Sequence, residues 1–207
     1  MIMNRVCIVA YPVLNLKMKK LKPISRIVVA IAAFSLIAGY FVPLWQILMW
    51  APQYPEGLTM KIWINTLSGE VKTISALNHY IGMRTIEASM FPEFKYMVYI
   101  VGVLIGIGLL ASIINRRFML IAFASSLVAA GIGALVDFYL WGYDYGHNLN
   151  PEAPIKIEGM TYQPPLIGTK QLLNFTAFSG PDIGGWVFIV AGALVLGIVV
   201  YEWISNK

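Results

Sequence analysis

The side chains of this sequence best suited to chemistry are its two histidines and a scatter of methionines. His79, Met83, Met90 and Met97 recur at near-heptad spacing. A helix through them would carry all four on one face, with His79 and Met83 close enough to share one ion. His147, Met60 and Met160 fall in connecting segments, and Met49 at the edge of an apolar block. Thioether and imidazole donors together favour Cu(I) or Cu(II). Copper is therefore the cofactor this donor set admits, with His79, Met83, Met90, His147 and Met160 as candidate ligands. Packing is the plain alternative, because methionines at helical spacing also fill cores.

A second set is acidic. Asp137 lies inside an apolar block, about one turn before Trp141, and Asp144 and His147 follow it. An acid at membrane depth is costly and is expected to face protein, water or a partner. Asp137, Asp144 and His147 together are a candidate for holding an ion or relaying a proton. A hydrogen-bonded cap is the equally good structural reading. Arg84 and Glu87 have the spacing of an i,i+3 ion pair.

Other chemistries lack their residues. HExxH, GxSxG, the phosphate-gripping GKS/T and the dinucleotide fingerprint are missing from the sequence. One cysteine, Cys7, excludes a disulfide scaffold, a four-cysteine zinc site and a CxxCH haem attachment. No catalytic residue is assigned, and a non-enzyme is favoured.

The elements that must carry these residues are apolar. Hydrophobic residues make up 58% of the 207 and charged residues 12%, against roughly a quarter charged in soluble domains. That excludes disorder. Four apolar blocks are expected as transmembrane helices, at 27–50, 97–114, 118–141 and 186–203. Each approaches the roughly 20 residues that cross about 30 Å of hydrocarbon. They contain no histidine, so no b-type haem pair is available. The expected fold is mainly α, a polytopic four-helix transmembrane bundle with two extracytoplasmic loops holding short β-hairpins and surface helices. The small residues Gly102, Gly106 and Gly108, and Ala129, Gly131, Gly133 and Ala134, are expected at helix contacts.

Charge sets the orientation. Residues 1–26, the turn 115–117 and the tail 204–207, with the helix ends, hold nine basic residues against Glu202, a net +8. The segments 51–96 and 142–185, with Asp137, hold six basic and nine acidic residues, a net −3. The positive-inside rule then puts both termini in the cytoplasm and both long loops in the periplasm, across a bacterial inner membrane. The basic N-terminus is explained by topology and by anionic lipid, so no nucleic-acid partner is expected. Residues 1–17 read as an over-extended start or a peripheral segment before MKKLKPISR.

Within the first loop, LTMKIWI and EVKTI read as a hairpin, and ISALNHYIGMRTIEASMFPEF as a helix capped by Ser75. Within the second, IKIEGMTYQ reads as a hairpin about Glu158 and Gly159, KQLLNFTAF as a short helix, and Asp182 as the cap of the last span. The parallel order gives a weak internal repeat. Each cap has an apolar face too small to bury alone, so the two are expected to pack together.

Two stretches carry a resemblance: LNHYIGM with MFPEF, and DFYLWGYDYGHNLNPEAPIKIEGMTYQPPLIGTKQLLNF leading into PDIGGW. From about Lys19 onward the chain resembles small four-span membrane proteins encoded with nitrous-oxide reductase maturation genes in Bacteroidetes-type bacteria. The resemblance implies a periplasmic copper context and membrane or periplasmic protein partners, and it assigns no site residue. The leading expectation is an accessory or scaffold membrane protein for such a copper-enzyme system. The alternatives are a structural subunit of another respiratory or transport complex, and a membrane enzyme or ion-handling protein using Asp137, Asp144 and His147.

Overall fold

The computed structural model describes residues 19–155, 161–172 and 174–205. Helix α1 is Pro23–Ser35, continued by a 3-10 segment Leu36–Tyr40. Strands β1 (Trp45–Ala51), β2 (Tyr54–Ile62) and β3 (Leu67–Gly69) precede helix α2 (Val71–His79). Helices α3 (Glu93–Ile114) and α4 (Arg117–His147) follow, then β4 (Gly168–Leu172), β5 (Phe175–Pro181) and α5 (Ile183–Ile204). Among the described residues, four helical segments, Pro23–Tyr40, α3, α4 and α5, are long and apolar enough to cross a membrane, as in a multi-pass membrane protein.

The described chain forms two compact units. The helical unit takes residues up to 37 with 100–130 and 187–205. Its core is Val29, Ala32 and Ala33 of α1, Leu36 of the 3-10 segment, Leu104 and Ala111 of α3, Leu120 and Phe123 of α4, and Ala191 and Val195 of α5. Gly108 makes the close approach possible: a Cβ there would lie 2.6 Å from both Ala33 Cβ and the Phe123 ring. The small residues expected at contacts divide on this point, since Gly106, Gly131 and Gly133 have nothing within 4 Å of such a Cβ.

The sheet unit takes residues 38–99 and 131–186. One antiparallel sheet has the order β3-β2-β1-β5-β4. The central strand β1 pairs with its neighbour β2 and with the distant β5, from Trp45↔Pro181 to Trp50↔Thr176. Strands from both long connecting segments thus share one sheet. Ile47, Met49, Leu58 and Met60 on the sheet, Ile74 of α2, Ile81, Met83 and Ile86 after it, Tyr145 of α4 and Tyr162 form the core.

Several sequence expectations give way here. The block 27–50 is not one helix: it turns at residues 41–44 and enters β1. Pro43 lacks the N–H that would continue the helix, and β1 obtains its backbone partners from two flanking strands instead. EVKTI is not the second strand of a hairpin. The strand partner of β2 on that side is the short β3, and Val71 already begins α2.

Helix α2 stops long before residue 94. Gly82 has φ +87°, Gly82 N–H donates to His79 O and Met83 N–H to Asn78 O, a left-handed glycine closure that turns the chain out of the helix. Ser75 does not cap α2. It lies buried within it, its Oγ accepting from Ile86 N–H at 3.0 Å.

KQLLNFTAF is a hairpin of β4 and β5, not a helix. The internal repeat therefore loses its second surface helix, because Leu77–Tyr80 end a helix while Leu172 and Phe175 pair across strands. The centre of the other expected hairpin, 156–160, lies outside the described residues, as do 1–18, with Cys7.

Candidate functional site

The methionine and histidine set is dispersed by the closure at Gly82. His79, in the last turn of α2, is exposed, while Met83 turns inward and is buried at 4% exposure in the sheet-unit core. The two do not share a helical face. Met60 (2% exposed) and Met49 join Met83 in that core, and Met90 is half-buried in a 3-10 turn at Ala88–Met90. Met160 lies outside the described residues.

His147 ends α4. Its ring stacks on Tyr143, centroids 3.9 Å apart, and its Nδ1 lies 2.8 Å from Tyr143 O. Among the described residues, no three His, Cys, Asp or Glu side chains gather as a metal-holding group.

The acids divide similarly. Asp144 pairs with Arg84, so the sequence partner Glu87 is replaced by one from α4. The reason is local: Arg84 sits past the Gly82 turn, off any helix, where i,i+3 spacing has no meaning. Asp137 is exposed on α4 and makes no hydrogen bond or ion pair among the described residues. Asp182 fits its expected place. It precedes α5, its Oδ1 accepts from Ile183 N–H at 2.7 Å, and Lys61 Nζ of β2 lies 3.2 Å from its Oδ2.

What these residues achieve is a braced joint within the sheet unit. Gly82 O accepts from Asn150 N–H at 2.8 Å, and Tyr80 O accepts from Ile155 N–H at 3.0 Å. Asn78 Nδ2 donates to Tyr145 Oη at 3.1 Å, and Gly146 O accepts from Tyr162 N–H at 3.0 Å. A Cβ on Gly146 would overlap the backbone of Gln163. Aromatic rings fill the space beside the joint: Trp141 packs on Tyr145 at 4.8 Å and on Phe91 at 5.0 Å, and Trp45 meets Phe138 edge-on at 5.7 Å.

A polar centre that the sequence did not disclose lies in the helical unit. Glu202, near the end of α5, is 2% exposed. Its Oε1 accepts from Ser25 Oγ at 2.6 Å and from Lys22 N–H at 2.8 Å. The carboxylate thus sits at the start of α1, where a negative charge meets orphan N–H groups and the positive end of the helix dipole. Pro23, first in α1, has no N–H to satisfy.

Arg117, 6% exposed at the start of α4, places Nη2 3.2 Å from Glu202 Oε2 and donates to the Glu202 carbonyl as well. Asn115, with φ +56°, turns α3 into α4, and its Oδ1 accepts from Leu21 N–H at 3.1 Å. One carboxylate therefore ties the start of α1, the α3–α4 turn and the end of α5. The signal for it was present: Glu202 is the lone acid among nine basic residues at that end. The Ser25 hydroxyl, 0% exposed, is spent on the Glu202 carboxylate, and the set serves as a structural lock.

No family model matches the chain, and no curated protein shows significant similarity to it.

Proposed function

We propose that this chain is an accessory membrane protein, a scaffold that anchors a rigid sheet unit at the outer face of a bacterial inner membrane for a protein partner. The observation that carries the reading is the β1–β5 pairing, which welds two segments more than a hundred residues apart in sequence into one preformed surface. Side chains with chemical potential support it by their packing and pairing: Met49, Met60 and Met83 fill the sheet-unit core, Asp144 pairs with Arg84, and His147 stacks on Tyr143. The resemblance supplies the partner class: proteins that assemble or serve a periplasmic copper enzyme.

Orientation is part of the proposal, with both termini in the cytoplasm and the sheet unit in the periplasm, from the +8 to −3 charge division. In a Cys7→Ser background, Asn148→Cys should react with an impermeant thiol reagent in spheroplasts, and Phe118→Cys should stay protected. The reverse labelling overturns the orientation.

The scaffold itself is tested by pull-down in mild detergent, combined with anaerobic Cu(I) titration of the purified protein. The expected result is a stable periplasmic or membrane partner, retained when His79→Ala and Met83→Leu are combined. Stoichiometric Cu(I) lost in that double variant would replace the scaffold with a metal carrier.

A further inference from the structure

The helical unit has an amphipathic groove between α1 and α3, of about 430 Å³ and lined by Pro23, Arg26, Ile27, Ala30, Ile31 and Ser112. Its floor is aliphatic and its rim is a guanidinium. Arg26 is held in place from two directions: its Nε donates to Ser112 O at 3.0 Å, and Ser112 Oγ donates to Arg26 O at 3.0 Å.

The Ser112 carbonyl belongs to the last turn of α3, where four carbonyls lack helical partners and a cation is favoured. Nε is thereby used, and among the described residues no carboxylate pairs with Arg26. A guanidinium carries five N–H donors in a planar fork that matches a phosphate. Four of the five remain to Arg26. The Glu202 carboxylate, the one acid at this end, is occupied by Ser25, the Lys22 backbone and Arg117.

We propose that this groove binds one anionic phospholipid, its phosphate on Arg26 and an acyl chain along Ile27, Ala30 and Ile31. Charge complementarity and the aliphatic floor select the same molecule: a free anion would not need the floor, and a zwitterionic lipid would bring its own cation to the rim. Lys19, Lys20, Lys22 and Arg116 near the same helix ends add a positive field that attracts anionic headgroups. The inference rests on the membrane reading of the helices and is independent of copper, of the scaffold role and of any protein partner.

Native mass spectrometry of the full chain, delipidated in detergent and titrated with phosphatidylglycerol or phosphatidylcholine of equal chain length, tests it. The first phosphatidylglycerol should bind about tenfold more tightly than phosphatidylcholine, an easily resolved difference. Arg26→Gln should abolish that preference, Arg26→Lys should keep part of it, and Lys72→Gln in α2 should leave it intact. Ala30→Trp should fill the groove and weaken both lipids while the charge remains.

Thermal unfolding of each variant separates loss of binding from loss of fold. Should Arg26→Gln fold and retain the wild-type preference, or Ala30→Trp fold and bind both lipids as tightly as the wild type, the site is wrong. Complete displacement of phosphatidylglycerol by inorganic phosphate alone would make it an anion site without a lipid tail, and would also overturn the proposal.

Discussion

The two units solve the same problem, an ion pair between distant segments, in opposite ways. In the helical unit, Arg117 and Glu202 are buried, with side chains 7% and 2% exposed, and hydroxyl and backbone groups occupy the carboxylate's remaining valence. In the sheet unit, Arg84 and Asp144 meet at the surface, with side chains 46% and 53% exposed. Burial removes the water that would compensate a lost partner, so the first pair is a condition of folding and the second an accessory to it. The difference teaches that an ionisable residue's weight depends on what else satisfies it, not on how conspicuous it is in sequence. Asp144 drew attention because it stands near a histidine, whereas Glu202 passed as one more terminal charge.

The largest expected effect follows directly. Glu202→Gln leaves the Arg117 guanidinium buried and unpaired, which costs on the order of 3–5 kcal/mol. Equilibrium unfolding in mixed detergent micelles should show it as a large loss of stability. Replacing both partners by leucine should recover most of that loss, because no buried charge remains. A double variant as unstable as the single one would show that the hydrogen bonds to Ser25 and Lys22, rather than the charge pair, hold this corner.

Two substitutions probe the joint inside the sheet unit. Ser75→Ala strips the acceptor from the Ile86 N–H and should cost about 1–3 kcal/mol, the penalty of an orphaned buried donor. Gly146→Ala should cost a similar ~1–3 kcal/mol by forcing the Gln163 backbone away. Alanine is otherwise the better helix former by about 1 kcal/mol, so Gly133→Ala in the same helix, with open space around it, should be neutral or stabilising. If the two glycine variants behave alike, close approach at Gly146 is not what positions residues 161–163.

The same contrast explains what the sequence could and could not disclose. The four apolar helical segments were legible because lipid-compatible length is a local property, and β2 was legible from its alternation. Strand β1 was hidden: apart from Gln46, WQILMW is apolar on both faces, so by hydropathy it extends the preceding apolar block even though Pro43 stands between them. KQLLNFTAF was misread because its apolar residues satisfy either period over so short a run, and only pairing with β1 decides between them. The candidate metal face depended on one unbroken helix, and a single glycine at positive φ ended it. The Glu202 lock joins residues up to 180 apart in sequence, a distance at which spacing carries no geometric information.

The smallest expected effect sharpens the comparison most. Asp144→Asn removes the surface pair with Arg84 and should cost less than about 1 kcal/mol, because both side chains remain solvated. Its diagnostic is salt. At about 1 M ionic strength the screening length falls to about 3 Å, so the wild type and Asp144→Asn should converge in stability. The Glu202→Gln deficit should persist under the same salt, since its charges are shielded from counterions by protein. Unfolding both variants at low and high salt therefore distinguishes a surface pair from a buried one. A salt-insensitive deficit for Asp144→Asn would mean that the Arg84–Asp144 contact is shielded from counterions, and would overturn its reading as a solvated surface pair.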